Sequence, residues 1–426
     1  MANMINETSN MSGCEENIID IESDVSTITS NIVSDSETKY KRNYVNMSDL
    51  KSDSLLNKKT RKSNILELIS EQRTGNKPNY VFNSNMAALK NSRLKSTNCL
   101  NTVHPELHVS DCEYIRSGQD GRSILGVWKG DQYDTILYKL ILNLSPRESS
   151  VEDDTPSFIK SIKHMGPFFS RTDIKDICDT NYRNMNHVLY VGSYSNEDFI
   201  THSSVVLCSF INSSAIAGRQ FVSLKELLSC CGSFNGDVYA TGSEEGVIIY
   251  QDQEAIFHNH SMGRINSLEF NSSGNILYCG VNNVGIIIID RRVPQMENCI
   301  VQDRKYSSGI LEIKLFSNEN SMIVSDTDGN LRQIDLRKRE TVFSYSGHVG
   351  ATKKIPFSLN EQADLLCATG TDKLTRLWSL RTGSHMCTVE PQIKSTKVHS
   401  CLIADECRWS VAIFQKNKVF IMEPDN

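Results

Sequence analysis

One acidic position, repeated in register down the C-terminal half of this 426-residue chain, constrains the architecture more than any other feature. The place held by Asp335 is taken upstream by Asp290 and Asp252 and downstream by Ser379 and Glu423, at spacings of 38, 45, 44 and 44 residues. Two copies show the unit clearly. Residues 322–337 run as an apolar strand, a polar turn carrying Asp328-Gly329, and a second strand ending Ile334-Asp335-Leu336-Arg337. Residues 365–381 repeat this order and end Trp378-Ser379-Leu380-Arg381, with Gly347-His348 standing between the copies. About 40–45 residues is the length that four short antiparallel strands and their turns require. Units of this kind arrange radially as the blades of a propeller, which leaves few exposed sheet edges.

Residues 110–426, at roughly 44 per unit, hold about seven blades. The expected fold is therefore all-β: a seven-bladed WD-repeat β-propeller over 110–426, preceded by a disordered polar tail (1–60) and a helical docking segment (61–100). The tail is rich in Ser, Asn, Asp and Glu and almost free of aromatics, so it cannot bury enough apolar surface to offset its ordering entropy. Basic clusters at 39–42 and 58–62 suit either a nuclear import signal or a solvated linker. In the next segment Asn64 can cap a helix, Glu67 can reach back to it and Gly75 can end it. Ile65, Leu68 and Ile69 make its apolar face, with Leu66 at the edge. Such a short helix needs a surface to pack on, either its own propeller or a partner's groove. A second short helix is expected around 86–94, and irregular chain over 100–120. Strands at 123–128 and 135–142 belong to the first blade, an acidic surface insertion follows, and 187–192 with 204–210 fit the second blade.

The net charge of −6 argues against a nucleic-acid-binding role. No apolar run reaches 18 residues, so no membrane span is expected, and the N-terminus lacks the pattern of a secretory signal. Thirteen scattered cysteines without a CxxC pair fit free thiols in a reducing compartment, nucleus or cytoplasm. HExxH, GxSxG and GxxxxGK[ST] are absent, so neither a metal or other cofactor nor catalysis is expected. His348, Thr369, Asp372 and Trp378 could be mistaken for a catalytic set; in a blade these residue types are expected to bond to one another and lock strands together.

One feature exceeds what blade packing needs. Asp290-Arg291-Arg292 and Asp335-Leu336-Arg337 put an arginine two residues after the repeat's aspartate in consecutive blades, and Arg381 follows Ser379 in the same way. On a strand, i and i+2 share a side. Each blade would then offer an acid–arginine pair on one rim, either a salt bridge internal to the blade or a fork that recognises a partner's carboxylates or backbone oxygens.

Asp-x-Arg closing consecutive WD repeats resembles the WD-repeat receptors of cullin-4–RING ubiquitin ligases. The run from Gly280 to Thr388 is similar, more narrowly, to the branch of the fourth cullin-4-associated factor, also called WD repeat protein 21. The similarity rests on Ile289-Asp290-Arg291-Arg292, Ile334-Asp335-Leu336-Arg337, Gly347-His348-Val349 and Thr375 to Leu380, with Ile289 and Ile334 where the repeat carries tryptophan. The resemblance implies a substrate receptor that does no chemistry itself. It implies that Asp290, Arg292, Asp335, Arg337 and Arg381 face the adaptor, damaged-DNA-binding protein 1, and that the helix bearing Ile65, Leu66, Leu68 and Ile69 inserts into it. A protein substrate would sit on the opposite, loop-rich rim. The alternative is a general WD-repeat scaffold without a ligase role.

Overall fold

Central strands of the repeats are apolar on both faces, and in the computed structural model both faces are covered. Val238–Ser243, Leu365–Thr369 and Trp409–Gln415 are buried throughout. The last strand of a repeat alternates instead: Glu340–Tyr345 is exposed at every second residue until its end. That gradient is what radially stacked sheets produce. Inner strands lie between neighbouring blades, and the perimeter strand keeps a solvent face.

The structure describes residues from Leu94 to Pro424, apart from 104–106, 108, 119–120, 131–134, 145–157, 181–186, 196–200, 212–213, 224, 252–253, 260–261, 294–298, 302–307, 351–353 and 405–407. The expectations for the polar tail, the basic clusters and the helix with Ile65, Leu66, Leu68 and Ile69 lie outside the described residues, as does the acidic insertion at 148–154. Among the described residues, strands form seven four-stranded antiparallel sheets. Blades 1 to 6 are consecutive: 109–170, 173–223, 227–259, 265–301, 310–345 and 358–389. Blade 7 takes three strands from 399–424 and its outermost strand, Leu94–Asn101, from the beginning of the described chain. Leu94 pairs with Pro424 and Asn101 with Lys418, so the two ends of the propeller close the ring on each other.

The core is divided between the seams. Seven apolar clusters occur among the described residues, each bridging adjacent blades. Between blades 5 and 6, Ile323 and Leu331 meet Leu366 and Trp378; between blades 7 and 1, Phe414 and Ile421 meet Trp128 and Leu140. Stability therefore comes from blade-to-blade burial, at about 1.5–3 kcal/mol per large apolar side chain. No helix among the described residues is long and apolar enough to cross a membrane.

Two boundaries differ from the sequence expectation. The propeller begins at Leu94, inside the segment expected to be helical (61–100), and not at 110. Leu94-Lys-Ser-Thr-Asn-Cys-Leu-Asn101 is a perimeter strand with one covered face and a bulge between Ser96 and Asn98, so its apolar alternation is faint. Val109–Ser117, within the stretch expected to be irregular, is the first strand of blade 1. It carries Asp111, Glu113 and Arg116, charges that obscure a strand pattern and find partners only in the assembled ring.

Candidate docking rim and the channel beneath it

Each blade is a meander, so the turn between its first and second strands and the turn after its third lie at the same end. Main-chain bonds join them: Arg291 N–H to Asn275 O in blade 4 (3.0 Å), Leu336 N–H to Asn320 O in blade 5 (2.8 Å), Leu380 N–H to Asp364 O in blade 6 (3.1 Å). This end of the ring is called the arginine rim. The pairing of Leu94 with Pro424 puts the start of the closing strand at the same end, because Pro424 ends the third strand of blade 7.

Asp290, Asp335 and Ser379 each end the third strand of their blade. The arginines do not continue those strands, as the i, i+2 argument supposed; Arg292 and Arg337 lie in the turns beyond. The pairing arises because the aspartate caps the turn. Asp290 Oδ1 accepts the Arg292 N–H (3.0 Å), which folds the guanidinium back for Nε to reach Oδ1 (2.9 Å) and Nη2 to reach Oδ2 (2.6 Å). Asp335 accepts the N–H groups of Arg337 (2.9 Å) and Lys338 (3.2 Å), with Arg337 Nη2 3.2 Å from Oδ2. Ser379 cannot supply a carboxylate, and Asp364, from the neighbouring turn, does so. Asp364 takes the Ser379 hydroxyl (2.6 Å) and the Arg381 N–H (2.8 Å), and the Arg381 guanidinium lies 3.8 Å away. Asp364 had no repeat signal to reveal it; only the turn-to-turn contact does.

The arginine side chains remain 62, 69 and 42 % exposed at 292, 337 and 381. Pairing and availability therefore coexist: the carboxylate orients the fork, and its outer N–H groups face solvent. The Arg292 guanidinium bonds draw Asp290 down to about 2, and Arg337 does the same for Asp335 in direction. Asp364 is the opposite case. Burial pushes it up to about 6, against the Ser379 hydroxyl and the Arg381 main chain. Lys338 and Arg339 extend the basic arc in blade 5.

His348, Thr369 and Asp372 sit at the opposite end, while Trp378 precedes Ser379 on the third strand; of the mutual bonds expected, His348 makes one, to the Thr369 main chain. His348 Nδ1 meets Gly329 O (3.0 Å), and Trp378 Nε1 donates to Ser346 O (3.0 Å). The Thr369 hydroxyl meets Thr375 (2.8 Å) and Ser400 of the next blade (2.8 Å). Arg376, four residues on, bonds both oxygens of Asp372, at 3.2 and 2.5 Å, and Oδ1 also accepts the Leu374 N–H (3.2 Å). His348 and Trp378 touch only edge to face, 6.4 Å between centroids. Burial lowers the His348 pKa.

A buried ionic cluster escaped the sequence reading. Arg116 of blade 1 lies 3.2 Å from Asp176 of blade 2, 3.6 Å from Glu269 of blade 4 and 3.9 Å from Glu312 of blade 5. Lys354, just before blade 6, lies 2.7 Å from Asp176 and 3.1 Å from Glu312. Five blades converge on one point only at the ring axis, so this cluster fills the channel. Asp176 also accepts the Tyr114 hydroxyl (2.8 Å) and Cys230 N–H (3.0 Å). Glu312 accepts no hydrogen bond in good geometry and is held by charge alone. Burial opposes the ionised forms of Asp176 and Lys354, yet Lys354 and then Arg116 keep Asp176 below its ordinary range, and Asp176 and then Glu312 raise Lys354.

No cluster of three metal-ligating side chains occurs among the described residues. The sequence does contain one His-x-x-x-His spacing, His104 to His108, which lies outside them.

Comparison with known proteins adds the lineage. The model of the DDB1- and CUL4-associated factor 4 β-propeller domain matches residues 162–403, more than half the chain. This chain belongs to that family. The match runs from the outer strand of blade 1 to the inner strand of blade 7 and includes every arginine of the rim. DDB1- and CUL4-associated factor 4 of Bos taurus is 24% identical over 180 residues, 40% of this chain and 35% of that protein. The Homo sapiens protein of the same name is 25% identical over 176 residues, again 40% and 35%. Human DDB1- and CUL4-associated factor 4-like protein 2 is 33% identical over 86 residues, 20% of this chain and 22% of that protein. The aligned part thus spans about a third or less of each relative's length.

Proposed function

We propose that this chain is a substrate receptor of a cullin-4–RING ubiquitin ligase, docking through its arginine rim on DDB1. The observation that carries the reading is the repeated device itself. Three consecutive blades each hold an exposed guanidinium on a carboxylate, although the third lost the repeat's aspartate and recruits Asp364. The names of the family and its relatives supply the partner. The closing strand starts on this same rim, at Leu94; the segment bearing Ile65, Leu66, Leu68 and Ile69 is proposed, from the resemblance alone, as a second contact with DDB1. The receptor does no chemistry; it raises the local concentration of a protein substrate at the ubiquitin-charged enzyme. Ten of the described cysteines are free thiols, and the compartment read here is a reducing one, nucleus or cytoplasm.

The test is calorimetry of the full chain against purified DDB1. Wild type binds, and Arg292→Ala with Arg337→Ala lowers affinity by more than about tenfold without changing the melting temperature. Equal binding by the double variant would refute the rim assignment. A folded wild type that does not bind DDB1 would leave the general scaffold reading.

A further inference from the structure

We infer that Phe234, on the same rim in blade 3, is an apolar anchor for the partner that the arginines dock. The inference rests on the reading above and names a residue beyond it. Three turns on this rim share one hydrogen-bonded form: Gly236 N–H to Ser233 O, Gly274 N–H to Asn271 O and Glu319 N–H to Phe316 O, at 3.0, 3.0 and 2.9 Å. The second residue of that form is therefore equivalent in the three blades: Phe234, Ser272 and Ser317.

At two of the three, that residue clasps the next blade. Ser272 donates its N–H and hydroxyl to Glu319, and Ser317 donates its N–H (2.6 Å) and hydroxyl (2.7 Å) to Glu361. Blade 3 abandons the clasp on both sides. The donor is a phenyl ring, and the facing turn of blade 4, Asn271 to Asn275, holds no carboxylate. Close packing of Gly274 on Ser233 takes the place of the clasp, and the Phe234 ring is 59 % exposed, the most exposed large apolar side chain among the described residues.

Phe234 also stands at the end of the arginine arc. Arg291 reaches back over the seam to Gln251 of blade 3 (3.1 Å), and Gln251 pairs with Val238, the first strand residue after the Phe234 turn. Val293, next to Arg292, is 46 % exposed. An exposed aromatic ring on the same rim as exposed guanidinium forks combines residue types enriched at protein interfaces. A single exposed phenylalanine would need no explanation; one that replaces a seam clasp at the end of a basic arc does. The occupant that fits is an acidic protein surface with an apolar socket, here the same DDB1 face that receives the arginines.

The test measures DDB1 affinity of the full chain carrying Phe234→Ala, Phe234→Asp, Arg337→Ala, or Val349→Ala at the opposite end of the ring. Phe234→Ala should weaken binding roughly tenfold and Phe234→Asp more, with unchanged melting temperature, while Val349→Ala binds as wild type. If Arg337→Ala loses binding and Phe234→Ala stays within twofold, the ring faces solvent, the chain's own N-terminal residues or a second copy, and the inference is overturned. If wild type shows no affinity for DDB1, the docking reading itself fails, and this inference with it.

Discussion

Replacing Lys354 by methionine removes the nearer of the two cations that Asp176 and Glu312 share at the ring axis. The loss falls unequally on the two acids. Asp176 keeps Arg116 at 3.2 Å, the Tyr114 hydroxyl and the Cys230 N–H. Glu312 keeps only Arg116, at 3.9 Å, and is fully buried. Breaking a buried pair from one side costs about 3–5 kcal/mol, because the other charge is stranded. In a domain of this size that lowers the melting temperature by roughly 5–10 °C. Adding Glu312→Gln removes the stranded charge and leaves Arg116 with Asp176, so the double variant should recover most of the loss. Circular dichroism melts of wild type, Lys354→Met, Glu312→Gln and the double variant form the cycle. A single Lys354→Met variant as stable as wild type, or a double variant no more stable than that single, would refute the claim that these charges are held by one another.

Three further outcomes follow from the structure. Burial, helped by Lys397, holds His399 down to about 4 against an ordinary 6.5; the folded state resists protonation, so stability present above pH 6.5 is lost as pH falls toward 4, by about 3 kcal/mol. Denaturant midpoints of His399→Leu should depend less on pH across that window, and an unchanged slope would count against it. Asp364, raised from 3.8 to about 6, has the opposite sign: its contribution is complete below pH 3.8 and lost as pH rises through 6. Asp364→Asn should flatten the stability profile between pH 4 and 6; a retained slope would mean that another acid titrates there. Removing residues 1–93 should leave the propeller's cooperative melt intact, whereas removing 1–101 deletes the closing strand and should lower the melting temperature sharply; equal melts would show that the Leu94–Pro424 seam does not hold the ring.

Much of the propeller was legible because a blade's central strands are buried on both faces. Residues 322–337 and 365–381 each contain a continuous apolar strand and a polar turn, and the acid at the end of the third strand marks the period. The rim arginines were legible for the same reason, being tied to that acid by two residues of chain. What the reading placed wrongly was the geometry of the tie: the aspartate caps a turn, and the turn, not strand alternation, brings the guanidinium back. Of the mutual bonding expected of His348, Thr369, Asp372 and Trp378, the His348 contact with the Thr369 main chain forms, whereas Asp372 in its turn pairs with Arg376 of the strand that follows.

By itself the sequence determined the period, the all-β class, the blade number and the acid–arginine repeat, since each follows from local spacing and burial pattern along one strand or turn. Tertiary structure alone decided which distant groups meet. The polar run 94–101 becomes a strand only because Lys418–Pro424 offers it an edge. Arg116, Asp176, Glu312 and Lys354, spread over more than 200 residues, become one cluster only because a closed ring has a single axis. Asp364 stands in for the missing acid beside Ser379, and Phe234 stands where its neighbours carry a clasp, because turns from separate strands are brought to one rim. Local periodicity carries no information about such encounters; closure of the ring creates them.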